Sequence, residues 1–101
     1  MKANETLVWV IYDIVEDKPR TKIAKICKQM GLYRVQYSVF SGSINRNALD
    51  ELVLQVRELM DETTDKIYIF PMCEDDFQKA ILLGKDFDRK LVKGESLELI
   101  F

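Results

Sequence analysis

LVWVIYD, at residues 7–13, is the stretch of sequence that decides the fold. Its first six residues are aliphatic or aromatic without interruption, and three of them are β-branched. A run of this length and composition predicts a strand that is buried on both faces. Because Asp13 follows directly, we expect its carboxylate at the rim of the sheet, where a loop begins.

Hydrophobic periodicity divides the rest of the chain into helices and strands. A first helix is predicted to begin with Asp17 as its capping acid, with Pro19 in its first turn, and to end at Gly31. Three acids at residues 74–76 are typical of a short helical turn. The remaining predicted segments are a strand at 33–40, a helix at 49–60, and strands at 66–70 and 80–83.

We assign these segments to an α+β, ferredoxin-like βαββαβ fold, in which one antiparallel sheet carries two helices on one face and strands 1 and 3 are central. The whole chain, residues 1–101, is expected to form one domain, with a polar lead-in at residues 1–6. Residues 95–101 close the chain, and LELIF at 97–101 predicts a fifth strand. Such a strand commonly joins an exposed sheet edge, in its own subunit or another.

Residue counts exclude several classes of chemistry. The chain has no His, which excludes Ser-His-Asp and Cys-His catalytic sites and His-containing zinc sites. Cys27 and Cys73 are far apart, so we expect two buried thiols in a reducing compartment rather than a disulfide framework. No export signal or membrane-spanning run is recognisable, and a cytoplasmic protein is expected. Any catalysis must then use carboxylates, Tyr, Ser, Lys or Arg, and we expect a metal ion to assist them.

The charge is distributed unevenly along the chain. The formal net charge is −2, yet seven cations and no acid lie from Lys18 to Arg46. These cations either solvate the outer face of a helix or form a surface that binds a polyanion, because local potential matters more than total charge.

Asp13 also has two interpretations. It is a turn-forming residue bonded to nearby backbone, or it is a ligand for Mg²⁺, which prefers oxygen ligands and is often held by one or two carboxylates. Arg20 and Lys22, in the first helical turn beyond it, favour the second interpretation because they could hold a phosphodiester near the metal.

Three segments together resemble a known family. They are YDI at 12–14, PRTK at 19–22 and GLYRVQYSVF at 31–40, and the last is the specific part. They resemble the Cas2-type family of CRISPR-associated proteins, which acts with the integrase in spacer acquisition during antiviral defence. The resemblance implies a homodimer with metal-dependent endonuclease activity on single-stranded RNA or double-stranded DNA in some members. For others it implies a structural role, bridging integrase dimers on DNA.

The resemblance also implies roles for individual residues. Asp13 matches the metal-binding and catalytic acid, with Tyr12 beside it as a catalytic residue. One Mg²⁺ or Mn²⁺ site would be shared across the dimer, so that each chain supplies one acid. The other matched positions are Arg20, Lys22 and Arg34 for nucleic-acid binding, and Ser38 and Phe40 for support of the site at the dimer face.

The residues therefore support two hypotheses. The first is a metal-dependent endonuclease that depends on Asp13. The alternative is a DNA-binding structural subunit without chemistry of its own, in which Lys25 and Lys28 join the basic residues named above in contacting phosphates.

Overall fold

Four strands and three helices make up residues 4–84, the part of the chain that the computed structural model describes. In chain order they are β1 (Glu5–Asp13), α1 (Asp17–Gln29), β2 (Tyr33–Gln36), β3 (Val39–Asn45), α2 (Arg46–Leu59), β4 (Lys66–Met72) and α3 (Glu74–Gln78). The short helix α3 confirms the interpretation of the three acids at 74–76.

The sheet has the strand order β2-β3-β1-β4, and all of its pairings are antiparallel. Both long helices contribute to a single core on one face of the sheet, through Ile23 and Cys27 of α1 and Leu52 and Val56 of α2. This architecture confirms the predicted α+β, ferredoxin-like βαββαβ fold, and its central strands are β1 and β3.

The strands that fill this order differ from the predicted ones at residues 33–45. A single strand at 33–40 was wrong, because β2 ends at Gln36 and a turn at residues 37–38 separates it from β3; a register shift between Arg34 and Gln36 also interrupts the pairing within β2. Residues 41–43, which their small side chains suggest are a loop, lie inside β3. Gly42 has a φ of +151°, a backbone conformation that residues with a side chain rarely adopt, so a substitution here would strain the strand.

The last predicted strands also required correction. Residues 66–70 were expected to be central, yet β4 is an edge strand of the described sheet and continues through Pro71. An edge tolerates proline, because one side of the strand needs no ladder hydrogen bonds. Residues 80–83 are not a strand, and Ile81 and Leu83 are exposed. The predicted strand at 97–101 lies outside the described residues.

The ends of the elements refine several smaller expectations. The strand β1 begins at Glu5, inside the expected lead-in. Asp17 does not cap α1, since the N-cap residue is Glu16 and Asp17 lies in the first turn. Of the two thiols expected to be buried, Cys27 is buried and Cys73 is exposed. No helix within residues 4–84 combines the length and hydrophobicity needed to cross a bilayer.

Burial dominates the chemistry of the Cys27 thiol. Loss of solvation in the core raises the pKa of Cys27 to about 12. The thiol therefore stays protonated at neutral pH and acts as a small apolar side chain.

A carboxylate joins the loop after β1 to the loop before β4. The buried Asp65 accepts hydrogen bonds from the backbone N–H of Val15 at 2.9 Å and from that of Asp61 at 2.8 Å. These hydrogen bonds lower the pKa of Asp65 below its ordinary value of 3.8. Asp65 thereby fixes the chain two residues beyond Asp13.

Replacing Asp65 with Asn should destabilise the fold and change its response to acid. A depressed carboxyl pKa stabilises the native state above the ordinary value of 3.8, and that contribution is lost as pH falls through the lower native pKa. We expect Asp65→Asn to lower Tm by about 5 °C at neutral pH, and the difference from the parent to shrink below about pH 4. Thermal unfolding followed by circular dichroism across this pH range measures both effects.

The exposed Asp50 on α2 offers a matched control, and Asp50→Asn should leave Tm nearly unchanged. A constant difference in Tm between the parent and Asp65→Asn at every pH would contradict the role assigned to the carboxylate.

Candidate nucleic-acid interface

Asp13 ends β1 as an exposed residue on the sheet face opposite the two long helices, α1 and α2. Side chains alternate between the two faces of a strand. Val10 and Tyr12 point into the core, so Ile11 and Asp13 lie on the other face. Lys66 of β4 is the cross-strand partner of Asp13. The strand register therefore places a cation next to the candidate acid, a neighbour that the sequence pattern did not indicate.

The turn between β2 and β3 is fastened to the end of β1 through one carbonyl group. The carbonyl oxygen of Tyr37 accepts hydrogen bonds from the Tyr12 hydroxyl at 3.1 Å and from Nε and Nη2 of Arg34 at 3.2 and 2.8 Å. The backbone N–H of Tyr12 also donates to the carbonyl of Ser38 at 3.0 Å. The turn is thus held beside the residue that precedes Asp13.

Tyr12 itself is buried. Its ring stacks on that of Phe40 with 6.4 Å between centroids, and burial raises the pKa of its hydroxyl above the ordinary value of 10.0. The hydroxyl donates to the turn, as described above, which is a positioning contact. A catalytic role for Tyr12 stays a prediction.

A cationic groove of about 680 Å³ lies between α1 and this turn. Four of its eight lining residues are Lys or Arg and none is acidic. The lining residues are Arg20, Thr21, Ala24, Lys25, Lys28, Arg34, Tyr37 and Ser38. The groove brings together Arg20 and Arg34, two of the predicted nucleic-acid-binding residues, while the exposed Lys22 is not among the lining residues.

The two arginines of the groove also organise its backbone. Arg20 donates from Nη1 to the carbonyl of Ile14 at 2.9 Å and forms an ion pair with Asp17. The guanidinium of Arg34 lies 5.4 Å from the ring centroids of both Tyr37 and Phe40. Both side chains therefore hold the segments on either side of the groove, and Lys25 and Lys28 present exposed ammonium groups to it.

Ser38 and Phe40, predicted to support the site at a dimer face, lie in different environments. Ser38 lines the groove and accepts the backbone hydrogen bond from Tyr12. Phe40 is fully buried in the core, where its ring packs against the ring of Tyr12 and the guanidinium of Arg34. A role for either residue at a dimer face stays a prediction.

The sheet face that carries Asp13 is rich in partly exposed apolar side chains. Tyr68 and Phe70 of β4 are 51% and 49% exposed and stack at 6.2 Å. Trp9 and Ile11 lie beside them in register and are only half-buried, although Phe77 of α3 packs against Trp9 with 5.9 Å between ring centroids. An apolar face of this kind is typical of an interaction surface.

The donor atoms near Asp13 decide whether a metal ion fits at the end of β1. Within residues 4–84, no cluster of three or more Cys, Asp or Glu is placed to hold a metal ion. Asp13 offers one exposed carboxylate, which suits Mg²⁺ or Mn²⁺ in chemistry but is not a complete site. The residues fit such an ion if a second carboxylate comes from another chain.

Sequence reasoning missed two residues that organise this region. Asp65 acts across fifty positions of sequence, and the only local signal for it is the DETTD loop at 61–65, which is rich in turn formers. Tyr37 falls within the predicted strand at 33–40, although it lies at an exposed turn beside the groove. A turn at residues 37–38 stands where the alternating pattern predicts a continuous strand.

Comparison with known proteins gives a consistent result. A family model described as CRISPR associated protein Cas2 matches residues 6–80. CRISPR-associated endoribonuclease Cas2 1 of Archaeoglobus fulgidus is 36% identical over 91 residues, covering 90% of this chain and 96% of that protein. CRISPR-associated endoribonuclease Cas2 of Desulforudis audaxviator is 43% identical over 74 residues, covering 71% and 70%. The crystal structure of Streptococcus pyogenes Cas2 at pH 6.5 superposes with a TM-score of 0.68 at 28% identity, covering 77% of this chain and 99% of that one.

Proposed function

The chain belongs to the Cas2 family of CRISPR-associated proteins, and on that premise we propose that it is a metal-dependent endonuclease that cuts single-stranded RNA, double-stranded DNA or both as a homodimer. The observation that carries this proposal is the exposed Asp13 carboxylate at the end of a central strand. The preceding residue, Tyr12, donates the hydrogen bond that holds the β2–β3 turn. The endoribonuclease names of the relatives support it.

The apolar sheet face supports the proposed homodimer. Tyr68 and Phe70 are about half exposed on the same face as Asp13, and covering them with a second copy would remove that apolar surface from water. A two-fold axis near the end of β1 would also bring two Asp13 residues together. The same contact would then stabilise the dimer and supply the second carboxylate.

The division of chemical roles follows from the residues present. Asp13 of each subunit would hold the shared Mg²⁺ or Mn²⁺, which when bound supplies charge neutralisation at the scissile phosphate and a water of lowered pKa. Lys25 and Lys28 would bind phosphates of the strand, while Arg20 and Arg34 keep the groove in shape. Asp65 would position the loop that follows Asp13.

The second candidate is a structural subunit that binds DNA and bridges integrase dimers during spacer acquisition in the cytoplasm. The groove favours this candidate, because four cations line it and no carboxylate does. Asp13 is not among its lining residues. Phosphate binding of this kind is steeply salt-dependent and needs no metal.

Replacing Asp13 with Asn separates the two functions. The amide keeps the size of the side chain but removes the charge that a divalent cation requires. We expect Asp13→Asn to lower Mg²⁺-dependent cleavage of single-stranded RNA and duplex DNA by at least about a hundredfold, with Tm and dimer state unchanged. Gel assays in Mg²⁺ and in EDTA measure the loss.

Cleavage by Asp13→Asn at the parent rate would refute the catalytic assignment. If neither protein cuts but both bind DNA with the same steep dependence on salt, the structural subunit is the better description.

The dimer can be tested on its own. Phe70→Lys places a charge at the centre of the proposed interface, and we expect it to give monomers that no longer cleave, because each monomer retains one Asp13. Leu54→Lys is the matched control, since Leu54 is similarly exposed, at 56%, on α2 and away from the sheet face. Light scattering coupled to size-exclusion chromatography distinguishes the species. A Phe70→Lys variant that remains dimeric would refute this interface.

A further inference from the structure

Tyr37 is the most exposed of the large hydrophobic side chains described, at 85%, and it borders the cationic groove. This ring shares the lining of the groove with Lys25, Lys28 and Arg34. An aromatic side chain beside a row of cations is the combination with which proteins bind single-stranded nucleic acid.

The ring of Tyr37 is held in place from one side. The guanidinium of Arg34 lies 5.4 Å from its centroid, and the same guanidinium bonds to the Tyr37 carbonyl. The backbone of the turn is further fixed by the Tyr12 hydroxyl. A ring that is positioned before binding loses little conformational freedom when a flat ligand stacks on its open side.

We propose that Tyr37 stacks on an unpaired base of a single-stranded nucleic acid whose neighbouring phosphates occupy the groove at Lys25 and Lys28. This inference rests on the proposed function and specifies the form of the substrate. Bases inside a duplex are already stacked on both faces, so the ring discriminates in favour of single strands, whereas the lysines bind phosphates of either form.

The proposed dimer leaves this site accessible. The groove is formed by α1 residues and the turn, and α1 packs on the sheet face opposite the one that carries Asp13, Tyr68 and Phe70. A strand that passes along the groove can therefore continue around the rim of the sheet, where β1 ends at Asp13.

The experiment compares two ligands that differ in the availability of an unpaired base. One ligand is a short single-stranded RNA, and the other is a DNA duplex closed at both ends by loops. Fluorescence anisotropy measures the binding of each to the intact homodimer, in EDTA to stop cleavage. To keep the loops from offering unpaired bases, they are made of a flexible non-nucleotide linker. The RNA also carries 2-aminopurine, whose fluorescence is quenched by stacking on an aromatic ring.

We expect Tyr37→Ala to weaken binding of the RNA about tenfold and to abolish the quenching, while affinity for the closed duplex changes by less than about twofold. Tyr37→Phe should behave as the parent, because it keeps the ring. Lys25→Ala should weaken the binding of both ligands to the same extent. It should also reduce the dependence of their affinity on salt by the equivalent of about one phosphate contact.

The variants keep the hydrogen bonds that hold the turn, since it is the backbone carbonyl of Tyr37 that accepts them. Tyr37→Leu provides a second apolar variant without a ring and should match Tyr37→Ala in binding, with an unchanged Tm.

Equal weakening of both ligands by Tyr37→Ala, or an unchanged affinity for RNA, would overturn the stacking inference and leave the phosphate-binding groove in place. Failure of the parent to bind either ligand would overturn the groove itself, and with it the inference. The cleavage assay of Asp13→Asn reports on the proposed activity separately, because it needs no change at Tyr37.

Discussion

Three hydrogen bonds to one backbone oxygen hold the functional end of this molecule together. The carbonyl of Tyr37 accepts from the Tyr12 hydroxyl and from two nitrogens of Arg34, at 3.1, 3.2 and 2.8 Å. A carbonyl oxygen has two lone pairs, and a charged donor makes its hydrogen bonds stronger than neutral ones. The β2–β3 turn therefore has a defined position beside the end of β1, and the groove and the exposed ring of Tyr37 depend on it.

This arrangement explains why the charged residues of the site have different functions. Arg20 and Arg34 bind backbone carbonyls on the two sides of the groove, which a planar guanidinium with several donors can do while it keeps its charge. Lys25 and Lys28 remain exposed along the groove and suit phosphate contacts. Within residues 4–84 no cluster of acids completes a metal site around Asp13, so the proposed enzyme would need a second subunit for cleavage.

Local patterns in the sequence predicted β1, α1 and the position of Asp13, because an apolar run ending in an acid admits few alternatives. They also indicated the cationic surface, since no acid interrupts residues 18–46. The hairpin was not predictable in this way, because the alternation of residues 33–40 conceals the bulge after Arg34. Asp65 was beyond reach, since its partner Val15 lies fifty positions away and only the folded chain brings them together.

The most direct measurement of the central claim uses Tyr12→Phe, which removes one donor to the Tyr37 carbonyl and retains the ring that stacks on Phe40. If the hydroxyl positions the turn, amide hydrogen exchange of residues 36–39 should accelerate and cleavage should fall by about tenfold, with the dimer intact. Unchanged amide hydrogen exchange in the turn would contradict the account, even if cleavage were lost. Loss of cleavage without faster exchange would instead indicate that the hydroxyl is catalytic.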